Sequence, residues 1–163
     1  MSTLRFGYEL TTYGWATATI ADEQSTVQIT TSYVGNALAS LLRAVRAAGD
    51  DTTQTRHSAI LPAEPDNYMW DFWPISDDSL IMSVVHYSMS GGGELPRHGE
   101  SGTVIFEMNT NWRHVASTIA RTADTVQQRY GDGYEELWRQ PFPSRDLSRL
   151  TDLLATRAAT GDG

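Results

Sequence analysis

Hydrophobic residues in this chain hold one period, abandon it for another, and do so in blocks. That alternation restricts the fold more than any single motif. Leu4, Phe6, Tyr8 and Leu10 alternate with Arg5, Gly7 and Glu9, the period-2 signature of a half-buried strand. Two more short strands follow over 15–21 and 26–31, separated by the turn Asp22-Glu23-Gln24. The period then changes to 3.6. Val34, Ala37, Leu38, Leu41, Leu42, Val45 and Ala48 fall on one helical stripe, with Ser32 expected as the N-cap and Gly49 as the residue closing the helix. From 57 the strand pattern returns over 57–62, 68–75, 80–89 and 103–108, with Ser76-Asp77-Asp78-Ser79 as a hairpin turn.

The last third is helical. Trp112, Val115, Ala116, Ile119, Ala123, Val126 and Tyr130 form a stripe that ends at Gly131, capped from Asn109 or Thr110. A short helix over 134–139 stops at Pro141-Phe142-Pro143, and Ser144 opens a final helix carrying Leu147, Leu150, Leu153 and Leu154. The predicted order is βββ-α-ββββ-ααα. Sequential strands joined by short turns give an α+β fold with a mainly antiparallel arrangement, drawn most simply as a single sheet with helices on one face. One domain is expected over 1–157, with residues 158–163 as a frayed tail.

Composition prunes the chemistry. There are no cysteines, which removes disulfides, thiolate nucleophiles and cysteine-held metals. All 12 basic residues are arginine, so Schiff-base and phosphate-loop lysines are absent too. Against them stand 20 carboxylates, for a net charge of −8. That balance argues against direct nucleic-acid binding and favours a basic protein partner. The first residues lack the apolar core of a signal peptide, and no apolar run approaches the ~20 residues of a membrane span. A cytoplasmic protein, with no membrane association, is the expectation.

Four segments carry a resemblance: Gly14-Trp15-Ala16-Thr17, the run from Thr31 to Leu38, the run from Glu64 to Trp70, and the run from Tyr134 to Pro143. Together they resemble a group of actinobacterial, Streptomyces-type small α+β proteins with no assigned activity. The likeness covers most of the chain and implies the fold class, but no catalytic residue. The long glycine-rich stretch over 90–102 departs from that group.

Catalytic motifs fail on inspection. His57, His86, His98 and His114 show no metal-ligand spacing, and no metal or cofactor is expected. Gly99-Glu100-Ser101-Gly102 is not a nucleophile elbow, because Thr103 stands where a glycine is needed. Gly91-Gly92-Gly93 precedes a strand, whereas a phosphate cradle opens a helix. Glu64, Asp66 and Asp71 could supply an acid/base pair, although turn formation accounts for the first two.

The most informative segment is Tyr68-Met69-Trp70-Asp71-Phe72-Trp73. Period 2 places Tyr68, Trp70 and Phe72 on one face and Met69, Asp71 and Trp73 on the other, so both faces carry large apolar groups. The second face is either covered by another layer, as in an oligomer, or open as an aromatic patch for binding. The binding candidates are Trp70, Asp71, Trp73, His86, Arg97 and His98. Two functions fit them. One is a non-catalytic, immunity- or regulator-like protein that engages a protein partner through this acidic-flanked aromatic face. The other is a small-molecule binder or enzyme whose pocket between sheet and helices is closed by the 90–102 loop. A homo-oligomer without a ligand is compatible with the same features.

Overall fold

In the computed structural model, residues 3–88 and 101–160 are described. Seven strands and four helices run in the order β1 (Arg5–Thr12), β2 (Trp15–Ala21), β3 (Thr26–Ser32), α1 (Ala37–Asp50), β4 (His57–Pro62), β5 (Asn67–Pro74), β6 (Ser79–Tyr87), β7 (Thr103–Asn111), α2 (Trp112–Tyr130), α3 (Gly133–Trp138) and α4 (Ser144–Thr160). The class is α+β and every described strand pairing is antiparallel.

The expected single sheet is in fact two. β1-β2-β3 form one and β4-β5-β6-β7 the other. The edges that would have to join, β3 and β4, meet through side chains. The Thr31 hydroxyl donates to the Pro62 carbonyl at 2.8 Å, and the Ile60 amide donates to Ser40 Oγ on α1 at 3.2 Å. Pro62 has no N–H to offer a neighbouring strand, which suits an edge. Periodicity finds strands, but it does not say which edges pair.

Both sheets feed one core. Tyr8, Ala16, Ala18, Ile20 and Ile29 from the first sheet meet Ala59, Leu61, Trp70, Phe72, Leu80, Met82, Val84, Phe106 and Met108 from the second, with Leu38, Leu41, Leu42 and Val45 of α1 and Val115, Ile119 and Ala123 of α2. The rings of Phe6 and Trp70 meet edge to face across the sheets, centroids 5.3 Å apart.

Helix ends differ from the sequence expectation in instructive ways. α1 is capped by Asn36, whose side chain accepts from the Ala39 amide at 3.2 Å, rather than by Ser32. Gly49 lies inside the helix. A Cβ there would sit 2.2 Å from the Trp112 ring, whose indole N–H donates to the Val45 carbonyl at 2.8 Å. This glycine therefore admits a tryptophan where a helix stop was expected. α2 is capped by Asn111, one residue beyond the expected pair. α4 continues to Thr160, so residues 158–160 are helical. Arg157 anchors that end by donating to the Asp77 carbonyl at 2.8 Å and by lying 4.9 Å from the Trp112 ring centroid.

Candidate functional site

The four-stranded sheet has two unlike faces. Ala59, Leu61, Trp70, Phe72, Leu80, Met82, Val84, Phe106 and Met108 point into the core. Strand alternation puts Ser58, Ile60, Met69, Asp71, Trp73, Ile81, Ser83, Val85, Val104 and Glu107 on the other face. Cross-strand pairs set their neighbours: Asp71 lies between Ser58 and Ser83, Met69 between Ile60 and Val85, and Trp73 beside Ile81. Trp73 is 54% exposed, Ile75 just past the strand end 43%, and Val104 55%. Two aromatic or β-branched side chains left open side by side, with a third across the sheet, are unusual for a surface and typical of a contact region.

The centre of this face is polar. Asp71 is only 6% exposed, accepts a short hydrogen bond from the Ser58 hydroxyl, and has a guanidinium nitrogen of Arg56 3.7 Å away. Asp71 is flanked by Ser58 and Ser83, and Met69 and Val85 nearby are also nearly buried. The open part of the face is therefore the Trp73–Ile75 end and Val104, while the loosely held Arg56 is a cation that can be exchanged.

The loop that joins α1 to β4 holds the tryptophan. Asp51 organises it, accepting from the Thr53 amide and hydroxyl at 2.6 Å each, from the Thr55 amide at 2.8 Å and hydroxyl at 2.7 Å, and contacting His57 Nε2 at 2.8 Å. These bonds, the Thr53 and Thr55 hydroxyls foremost, hold the Asp51 carboxyl far below the usual carboxylate range. Gln54 at the loop tip takes a positive φ of 58° and turns its carbonyl to accept the Trp73 indole N–H at 3.2 Å. The indole is thus fixed at its polar end while its ring remains open, the combination found in aromatic anchors of interfaces.

The expected site residues do not come together as one pocket. Asp71 and Trp73 share the outer face. Trp70 is fully buried against Phe6 and contacts only the core, so it is withdrawn as a binding residue. His86 sits on the core-side parity at the end of β6, stacked on Tyr68 with centroids 4.9 Å apart and 2.8 Å from an Asp66 carboxylate oxygen. The sheet separates it from Trp73, and the two cannot line one cavity. Arg97, His98 and most of the glycine-rich stretch lie outside the described residues. Among the described residues, no three His, Asp or Glu side chains converge to hold a metal ion, and no helix is long and apolar enough to cross a membrane.

Sequence reasoning missed Asp51, Gln54, Arg56, Ile75 and Ile81. A signal existed for some of them. Asp51-Thr52-Thr53-Gln54-Thr55 is a side-chain-capped turn by composition, and Ile75 continues the Trp73 parity. The contact of that turn with Trp73 spans 19 residues and leaves no local mark.

Together, fold and face define a small α+β protein with two antiparallel sheets, one of them presenting an exposed tryptophan next to a nearly buried carboxylate. No protein-family model matches the chain, and no curated protein matches it in sequence. Among solved structures, a chain of the CdiA-CT/CdiI toxin and immunity complex from Enterobacter cloacae aligns with a TM-score of 0.45 at 10% identity, covering 76% of this chain and 99% of that one. Similarity of that order transfers neither partner nor role.

Proposed function

We propose that this chain is a non-catalytic binding protein, immunity- or regulator-like, that covers a basic protein partner with the outer face of its four-stranded sheet. The observation that carries this reading is Trp73, 54% exposed yet fixed through its indole N–H beside a nearly buried carboxylate. Trp73, Ile75 and Ile81 supply the apolar contact, and Asp71 receives an arginine or lysine of the partner in place of Arg56. Charge selects the partner's sign. The chain carries −8, and Glu107 on the face and Asp77 and Asp78 at the β5–β6 turn add acidity around the contact. Two copies of so acidic a chain repel one another, which disfavours self-association through this face.

Native mass spectrometry of the tagged chain isolated from its native host tests the reading. A stoichiometric basic protein is expected with the wild type and lost with Trp73→Ala. A partner retained by Trp73→Ala, a second copy of this chain, or a small molecule in its place would overturn it.

A further inference from the structure

β1 is the edge strand of the three-stranded sheet, and α2 runs alongside it. Their junction is clamped at both ends. The Leu4 amide donates to His114 Nε2 at 3.0 Å and the Leu10 amide to the Tyr130 hydroxyl at 3.1 Å, while the Thr122 hydroxyl donates to the Phe6 carbonyl at 2.9 Å. In an antiparallel strand the residues whose backbone groups turn away from the partner alternate. The Tyr8 N–H and C=O therefore face the same way as those of Phe6 and Leu10, toward the space between strand and helix. That space is an open cleft of about 450 Å³, within the size range of small-molecule sites.

Its walls are cationic in an acidic chain. Arg5, Arg121 and Arg129 line it, a quarter of all the arginines, against Glu9 alone among the carboxylates. None of the three is locked. Arg5 donates to the Asp22 carbonyl at 3.1 Å, Arg121 to Ser117 O at 3.3 Å, and Arg129 to Glu9 at 2.9 Å through a pair in which both side chains are about 60% exposed. Exposed bonds of this kind exchange at little cost. Gly7 also lines the cleft. A Cβ there would meet only Thr19 Cβ at 3.9 Å, so the missing side chain leaves room and is not forced by crowding.

We propose that this cleft binds a small oxyanion, a phosphoryl or carboxylate group held by Arg121, Arg129 and Arg5 with the Tyr8 amide as a further donor. Guanidinium forks match both anions, and a backbone N–H at a strand edge adds a fixed donor. The site is separate from the Trp73 face and does not depend on its role.

Amide and arginine Nε–H NMR of the full chain, titrated with inorganic phosphate or succinate against chloride at matched ionic strength, tests it. Saturable shifts at Gly7, Tyr8, Arg121 and Arg129 are expected, weakened about tenfold by R121Q/R129Q. Saturation with phosphate alone assigns a phosphoryl ligand, and saturation with both probes a general oxyanion. Gly7→Ala, which keeps the fold because nothing crowds the new methyl, is expected to weaken binding as well. Linear shifts, equal shifts with chloride, or saturation unchanged in R121Q/R129Q would overturn the proposal.

Discussion

Two tryptophans three residues apart on β5 have opposite fates, and substitution separates them. Trp70→Ala removes a fully buried ring from the core and is expected to cost about 3–5 kcal/mol, measured by urea unfolding. Trp73→Ala removes a half-exposed ring and is expected to cost about 1–2 kcal/mol of stability. Under the proposed function, its effect on partner binding is expected to be larger, ~2 kcal/mol or more, or about 30-fold in affinity. The opposite ranking would place the functional surface on the wrong side of the sheet. Asp51 supplies a pH test. Its folded carboxyl is held below the unfolded value by the Thr53 and Thr55 hydroxyls, so its stabilisation of the loop is fully present above about pH 4 and is lost as acid titrates the folded group. Asp51→Asn is expected to shift the Trp73 indole N–H resonance at neutral pH and to remove the acid-dependent part of its movement. An unchanged resonance would separate the loop from the tryptophan.

At the scale of elements, β5 was legible because its two faces obey period 2, and α1 and α2 because their stripes obey 3.6. The caps were less so. Ser32 and Asn36 are both good capping residues, and only the end of β3 at Ser32 decides for Asn36. Gly49 illustrates a deeper limit, since a glycine near a helix end looks the same whether it stops the helix or admits a ring from 63 residues away. Gly49→Ala separates the two. As a left-handed helix stop, the change would strain the backbone by about 1 kcal/mol and leave the Trp112 indole N–H resonance in place, whereas crowding of the ring moves that resonance. Against Trp112 at 2.2 Å it is expected to overpack the core by about 1–3 kcal/mol, read as a lowered urea midpoint with an unchanged slope. Asn36→Ala is expected to cost about 1 kcal/mol through the lost Ala39 amide bond.

For the molecule as a whole, strand order in sequence did not reveal that the strands divide into two sheets. The division follows from α1 entering between β3 and β4 and from Pro62 at the seam, which are relations among distant residues. It also separates the candidate residues, leaving Asp71 and Trp73 on one surface and His86 on the other side of the sheet. Net charge, by contrast, is read directly from composition. A chain at −8 that binds a basic partner is expected to lose association rate as salt rises, with a smaller change in dissociation rate, measured by stopped-flow mixing between 50 and 500 mM salt at the extremes, about one to two Debye-length halvings. The proposed contact surface for that partner is the outer face of β4–β7. A photo-crosslinking residue placed at Ile81, beside Trp73, and in parallel at Arg43 on α1, reports this directly in the native host. One discrete adduct with a basic protein is expected from position 81 and none of that mass from position 43. Equal adducts from both positions, or none from position 81, would contradict it.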